Sequence, residues 1–345
     1  MKVAVGIDPR TDIGSIRDLA VGYERAGVDV ISVPESYGFD AVSILGLLAG
    51  ITERVELMSG IVPIYSRTPA LLAMTAAGLD QVSDGRFTLG LGASGPQVVE
   101  GWHGLPYDAP LGRTREIIEI LRTVWRREHL DHQGRRYEIP LPKERGTGAG
   151  KPLKMLHRPL RAEIPVLIAA LGQKNVELAA EVAEGWIPFL YIPEKADRVW
   201  GSAMDAGLAK RDTSLGPFQI VSGGPMAVGD DVEHLRELDR AHLTFYVGAM
   251  GPREANFYNR VVRQYGWEAE AEKVQDLYLD GHVAEATAAL PTQLLEGTSL
   301  IGDESYLRDR LQAYRTSGVT VVQVTPVGPD PMGDLHRFAE IVHSL

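Results

Sequence analysis

Short apolar runs alternate with segments of helical periodicity along most of this chain. An apolar run of four to eight residues is typical of a buried strand, whereas apolar residues at a spacing of three to four predict an amphipathic helix. The predicted strands cover residues 2–8, 30–36, 55–62, 86–94, 164–172, 185–191, 217–228 and 319–328. The predicted helices cover residues 15–26, 41–51, 69–82, 98–127 and 173–185, and a last helix ends at 345. Ser15 is a candidate N-cap of the first helix.

The alternation of strands and helices is interrupted twice. Residues 128–164 are polar and rich in Gly and Pro, and residues 230–295 are largely helical. Repeated βα units require parallel strands, because each return to the sheet crosses over through a helix. Eight such units predict a closed (β/α)8 TIM barrel of the α/β class, formed by residues 1–345 as a single domain with these two segments as insertions. An open doubly wound sheet is the main alternative.

Composition narrows the possible partners. Hydrophobic residues make up 44% of the 345 residues, enough for one large core, and the formal net charge is -11. This acidic balance argues against binding to nucleic acid or to an anionic membrane surface. The chain has no cysteine, which excludes disulfides and thiolate chemistry. No signal peptide or membrane-spanning stretch is apparent, so we expect a soluble cytoplasmic protein that acts on a small molecule.

The predicted strand ends are unusually small and polar. Barrel enzymes place their chemistry at the carboxyl ends of the strands, and small residues there let a flat ligand approach the backbone. The fourth strand ends in Ala93-Ser94-Gly95-Pro96, where Ser94 is a candidate cap for a helix that begins at Pro96. Gly172-Gln173 opens the helix after the fifth strand in the same way. Helix starts of this kind can hold a phosphate, although these glycines could also serve only tight turns.

Two segments carry a family resemblance. The stretch "ERVELMSGIVPIYSRTPALLAMTAAGLDQVSDGRFTLGLGASG" and the stretch "PVLIAALGQKNVELAAEVAEGWI" resemble the luciferase-like monooxygenase superfamily, and within it the coenzyme F420-dependent oxidoreductases. The resemblance covers about residues 1–130, 160–192 and 298–330. It implies a barrel with insertions, a homodimer, the deazaflavin cofactor F420, and hydride transfer between that cofactor and a small organic substrate.

The same resemblance implies positions for the cofactor. It places a non-prolyl cis peptide between Gly60 and Ile61, where a bulge backs the central ring of the deazaflavin. Ser36 ends the second predicted strand, at a position that resembles the family's cofactor site. The cofactor phosphate is expected at two strand ends, formed by Ser94, Gly95 and Pro96 and by Ala170, Leu171, Gly172 and Gln173.

Two residues are candidate catalytic groups. Glu35 at the end of the second strand could move a proton or contact the cofactor, and otherwise forms a salt bridge. His103 could act as a general acid near neutral pH, and otherwise has a structural role. The sequence departs from many relatives here, since Glu35-Ser36 replaces Asp-His and no acidic residue follows the glycines of the fourth strand. The neighbouring Trp102 is interpreted mainly as a core residue.

Three alternatives to an F420-dependent oxidoreductase stay open at this point. An FMN-dependent monooxygenase would share the barrel and the phosphate site. A non-catalytic F420- or flavin-binding protein would explain the departures at the candidate acid and base. A phosphate-binding lyase or aldolase would need a catalytic lysine at a strand end, and the sequence offers none there. The pair of histidines in "HLDH" has no third ligand nearby, so we expect no metal site there.

Overall fold

Parallel strands close into an eight-stranded barrel in the computed structural model, which describes residues 1–251 and 253–345. The barrel strands are β1 Lys2–Gly6, β2 Val30–Val33, β3 Glu56–Ser59, β5 Phe87–Gly92, β8 Val166–Ala169, β9 Gly185–Ile187, β10 Gln219–Val228 and β12 Val321–Pro326. Closure is direct, because β10 pairs with both β9 and β12, and β12 pairs with β1. The predicted TIM barrel is therefore confirmed, and the open sheet is excluded.

Helices connect the strands and cover the outside of the barrel. The helices are α1 Ile13–Arg25, α2 Ala41–Ile51, α3 Pro69–Val82, α4 Pro96–Gly101, α5 Pro110–Trp125, α6 Gln173–Val182, α7 Pro193–Leu208, α8 Arg240–Ala249, α9 Phe257–Gln264, α10 Glu268–Leu279, α11 Val283–Ala289, α12 Thr292–Gly297, α13 Glu304–Thr316 and α14 Pro331–His343. Helix α1 begins two residues earlier than predicted, since Asp12 is its cap and accepts from the Ser15 backbone N–H. None of the helices within residues 1–251 and 253–345 combines the length and the apolar character needed to span a bilayer.

A layer of side chains fills the barrel interior near the amino ends of the strands. It consists of Ala4, Val30, Met58, Leu167, Val221 and Val321, one from each of six strands. Each of these residues is buried. This layer fills the interior of the barrel near the amino ends of the strands. Any ligand site inside the barrel must therefore lie towards the carboxyl ends of the strands.

The third strand does not run through as predicted. Strand β3 stops at Ser59, and the two-residue strand β4, Val62–Pro63, pairs with β5 further along. The peptide bond between Gly60 and Ile61 is cis. The chain thus leaves the ladder for two residues between β3 and β4, at the barrel mouth.

The prediction of one continuous helix over residues 98–127 is wrong, because the structure has two helices there. Helix α4 ends at Gly101 and α5 begins at Pro110, so residues 102–109 form an irregular connection. Gly104 and Ala109 both adopt positive φ in this stretch, and Pro110 occupies the first turn of α5. Residues with a left-handed conformation end a helix, and a proline in the first turn begins the next one. The apolar periodicity of the sequence continues across this break and did not reveal it.

The two predicted insertions have different structures. The first contains a short hairpin of β6 His132–Gln133 and β7 Glu138–Ile139. Glu116 of α5 anchors this hairpin, because its carboxylate accepts the backbone N–H groups of residues 135–137. The second insertion contains α8 to α12 and leads into the strand β11, Leu300–Gly302, which pairs with the end of β10 outside the barrel.

Candidate active site

A cleft of about 660 Å³ opens at the carboxyl ends of the barrel strands. Its lining comes from residues within or directly after β2, β3, β5, β8, β9, β10 and β12, together with the second insertion. The predicted site residues that line it are Glu35, Ser36, Gly60, Ile61, Ser94, Gly95, Pro96, Ala170, Leu171 and Gly172. The fold therefore brings residues from four separate strand ends into one cleft.

The floor of this cleft is formed by backbone and small side chains. A Cβ atom placed on Gly92 would lie 3.0 Å from Ile61 Cδ1, and one on Gly60 would lie 2.0 Å from Ser32 Oγ. A Cβ atom on Gly224 would lie 1.9 Å from the Thr298 carbonyl oxygen. These glycines are thus required for close packing of the strand ends. The cleft lining therefore has bare backbone at Gly60, Gly92 and Gly224, which a planar ligand can approach closely.

Helix α6 is the better of the two predicted phosphate positions. It begins at Gln173 after the extended residue Gly172, and no side chain caps it. The first N–H groups of such a helix have no partner within the helix and carry a positive partial charge. The Gln173 side chain does not line the cleft, because its Nε2 donates to the Val199 carbonyl oxygen instead.

The segment after β5 differs from the prediction. Helix α4 has only six residues and its N-cap is Gly95, with no side-chain cap. The proposed cap Ser94 precedes this position and adopts a left-handed conformation with φ of 58°. Ser94 therefore contributes to the cleft wall but does not close the helix start.

Glu35 lines the cleft and is fully paired. Its two carboxylate oxygens lie 2.7 and 2.8 Å from the two terminal nitrogens of Arg67. The Ser66 hydroxyl and the Ala41 backbone N–H donate to the same carboxylate at 3.1 and 3.3 Å. The side chains of Glu35 and Arg67 are only 8% and 14% exposed. This bidentate pair is buried at the end of β2 and fixes the β2–α2 loop to the segment before α3.

His103 lies beside the cleft and not in its lining. It is half-buried in the connection between α4 and α5. Its neighbour Trp102 is 63% exposed, so the core interpretation of this indole is wrong. Trp102 packs edge-on against Tyr37 with ring centroids 6.0 Å apart, and Tyr37 lines the cleft. The large side chains downstream of the fourth strand thus form part of the rim.

The second insertion contributes a wall that the sequence analysis missed. Asp239 and His242 from the start of α8 line the cleft, and His242 Nδ1 lies 2.9 Å from Asp239 Oδ1. Phe189, Tyr246 and Tyr258 line it next to them, with centroid separations of 4.6 Å for Phe189–Tyr246 and 4.8 Å for Tyr246–Tyr258. The three-residue spacing of Asp239 and His242 was visible in the sequence, but nothing there located α8 at the barrel mouth.

Gln323 on β12 lines the cleft and carries an unpaired acceptor. The Gln323 side-chain oxygen Oε1 is buried and has no hydrogen-bond partner among residues 1–251 and 253–345. A buried amide oxygen without a partner is costly, and a bound N–H donor would satisfy it. The cleft therefore combines glycine-lined strand ends with the unpaired amide oxygen of Gln323 and an uncapped helix start.

Comparison with known sequences gives two informative relatives. A protein of Mycobacterium tuberculosis, provisionally named a coenzyme F420-dependent oxidoreductase, is 37% identical over 92% of this chain and 92% of its own length. The 5,10-methylenetetrahydromethanopterin reductase of Archaeoglobus fulgidus is 28% identical over 93% of each chain.

Solved structures with the same fold include two F420-dependent enzymes. The coenzyme F420-dependent tetrahydromethanopterin reductase of Methanopyrus kandleri has a TM-score of 0.80 at 21% identity, over 99% of this chain and 98% of that one. An F420-dependent secondary alcohol dehydrogenase, solved with an F420–acetone adduct, has a TM-score of 0.74 at 15% identity over 99% of each chain. The family model for luciferase-like monooxygenases matches residues 1–321. The chain therefore belongs to the luciferase-like monooxygenase family.

Proposed function

We propose that this protein is a coenzyme F420-dependent oxidoreductase that transfers hydride between the deazaflavin and a small organic substrate. The observation that carries this proposal is the glycine-lined barrel mouth, which combines the unpaired side-chain oxygen of Gln323 with the uncapped start of α6. The F420-dependent relatives support the choice of cofactor.

The residues of the cleft fit a deazaflavin. A planar ring with N–H groups suits the glycine-lined floor and can donate to the orphaned Gln323 Oε1. The phosphate of its tail suits the first N–H groups of α6. Residues Ser36, Gly60 and Ile61 would contact the ring region. Residues Ser94, Gly95, Pro96, Ala170, Leu171, Gly172 and Gln173 would surround the tail through their backbone.

The protein positions the cofactor and excludes water, while bound F420 itself supplies the hydride chemistry. Glu35 has all of its acceptor positions filled by Arg67, Ser66 and Ala41, so we assign it a positioning role and not proton transfer. His103 receives no role in proton transfer, because it does not line the cleft.

A homodimer is part of the same proposal. Helix α3 exposes Leu71, Met74 and Val82, with exposed fractions of 48, 56 and 58%. These residues are spaced along one side of the helix, so they form an apolar stripe on the outside of the barrel. A second copy of the chain would cover this stripe.

Cofactor titration tests the proposed function. The purified protein is titrated with F420 and, separately, with FMN, and quenching of cofactor fluorescence is followed. We expect saturable binding of F420. Saturation by FMN alone would make the protein a flavin-dependent member of the family, and binding of neither would reject a role with these cofactors. Loss of F420 affinity in a Gln323→Leu variant, with an unchanged melting temperature, would locate the ring at β12.

A further inference from the structure

The Asp239–His242 pair leaves one imidazole nitrogen free at the cleft. Asp239 Oδ1 lies 2.9 Å from Nδ1, so this carboxylate holds the proton on Nδ1 and fixes the tautomer. Nε2 has no hydrogen-bond partner within residues 1–251 and 253–345. The Asp239 side chain is 17% exposed and the His242 side chain 55% exposed, so the carboxylate is sheltered while the imidazole reaches the cleft space. The pair is arranged as a proton-exchanging group with its positioning carboxylate.

Aromatic side chains surround this imidazole. The centroid of His242 lies 4.9 Å from that of Tyr246 and 6.4 Å from that of Phe189, and Tyr258 packs against both of these rings. Burial raises the pKa of both Tyr246 and Tyr258, so their hydroxyl groups stay neutral. The wall beside His242 therefore offers an apolar surface to an aromatic or aliphatic body.

The described lining of the cleft offers no lysine or arginine to an anionic substrate, and its acidic members are Glu35 and Asp239. Arg67 is close but is held by both oxygens of Glu35. The imidazole of His242 is paired with Asp239. A carboxylate or phosphate on the substrate would have to be desolvated next to these acidic groups without a lysine or arginine as counter-charge, which is costly.

We propose that His242, positioned by Asp239, exchanges the proton that accompanies hydride transfer, and that the substrate is an uncharged carbonyl compound or the corresponding alcohol. This inference rests on the proposed function. In the direction of reduction, the carbonyl carbon receives a hydride, with its two electrons, from the reduced deazaflavin. The C=O π bond breaks, and the proton of the His242 imidazolium goes to the oxygen. The deazaflavin is oxidised and loses one proton to solvent, and His242 is reprotonated, so the alcohol has gained one hydride and one proton.

The test uses the full chain with reduced F420 and two probes, acetophenone and phenylpyruvate, which each carry a phenyl ring and a ketone group but differ in charge. We expect oxidation of the cofactor with acetophenone and at least a tenfold lower kcat/KM with phenylpyruvate. The variant His242→Gln should lower kcat with acetophenone by roughly 100-fold or more, as expected for a lost acid–base group. His234→Gln is the matched control, since His234 is an exposed residue whose Nδ1 lies 2.9 Å from the Asp231 carbonyl oxygen and which does not line the cleft.

The role of Asp239 has a readout that does not depend on turnover. In the protein without cofactor, ¹⁵N NMR should show His242 as the Nδ1–H tautomer, and Asp239→Asn should shift the ring towards a mixture of tautomers. Asp239→Asn should also lower kcat by about tenfold. Equal tautomer populations in both proteins would refute the positioning role.

The outcomes separate this inference from the proposed function. Fluorescence titration with F420 is run on each variant, and we expect the affinity of the wild type to be retained in all of them. If the wild type binds no F420, the proposed function fails. If F420 binds but His242→Gln keeps the wild-type kcat, the proton role is overturned. If F420 binds and acetophenone is not turned over, or phenylpyruvate is preferred, the substrate class is overturned.

Discussion

Replacing Glu35 by Gln is the most direct perturbation of the barrel mouth. The change keeps the size of the side chain but removes the charge that pairs with Arg67. The guanidinium then stays largely buried, at 14% exposure, without its bidentate partner. Because all four hydrogen bonds to the carboxylate join the loop after β2 to neighbouring segments, we expect a loss of stability even though no core side chain changes.

The size of the effect follows from the geometry. Removing one member of a buried ion pair costs about 3 to 5 kcal/mol, since the other charge stays buried. Asp40 lies 4.0 Å from Arg67 and offers partial compensation, so the lower end of this range is expected. An unfolding entropy of about 2.1 cal/mol/K per residue gives about 0.7 kcal/mol/K for the whole chain. A loss of about 3 kcal/mol therefore corresponds to a melting temperature about 4 °C lower.

Circular dichroism melts of Glu35→Gln, Arg67→Met and the double variant Glu35→Leu/Arg67→Met provide the measurement. The double variant should be more stable than either single variant, because it removes both charges and keeps the packing. F420 titration and turnover are recorded alongside. A melt of Glu35→Gln within 1 °C of the wild type, together with a large loss of kcat, would refute the positioning role and restore Glu35 as a proton-transfer group.

Three further changes test other parts of the structure. Gly90→Ala would place a Cβ 1.9 Å from the Ser59 carbonyl oxygen and should cost about 3 kcal/mol in urea unfolding. Gly46→Ala on α2, with open space around it, should be neutral or slightly stabilising. Equal effects of the two changes would contradict the close packing of β5 against β3. Burial would raise the pKa of Glu24, but the backbone N–H groups of residues 53–55 donate to its carboxylate and lower the pKa. Glu24→Gln should therefore cost about 2 kcal/mol of stability above pH 5, and this difference should shrink as pH falls through the folded pKa. A difference that grows in acid would be inconsistent with these bonds. Met74→Glu should convert the proposed homodimer into a monomer in light scattering. An unchanged mass would remove the α3 stripe as the interface.

The barrel was predictable because its signal is local and repeated. Each βα unit has its own apolar run and its own helical period, so the eight strands were found without knowledge of their contacts. The breaks were harder to find. The restart of the helix at Pro110 depends on residues with positive φ, and Ala109 has no sequence feature that marks it as one of them.

The site was predictable only where it belongs to the barrel. Strand ends meet at one face in any barrel, so the small residues after β3, β5 and β8 could be grouped from the sequence. The partner of Glu35 was hidden, since Arg67 lies 32 positions away in a loop. His242 was hidden for a similar reason, because the position of α8 over the cleft depends on tertiary packing and leaves no periodicity in the sequence.

The division of the cleft between two parts of the chain affects how this enzyme could diversify. The barrel strands supply the glycine-lined floor, while the helical segment between β10 and β11 supplies His242, Tyr246 and Tyr258 opposite it. Selection for a new reactant can therefore act on that segment while the glycine-lined strand ends are preserved. An exchange of residues 230–295 between members of the family would change the helical wall of the cleft without rebuilding the proposed coenzyme surface.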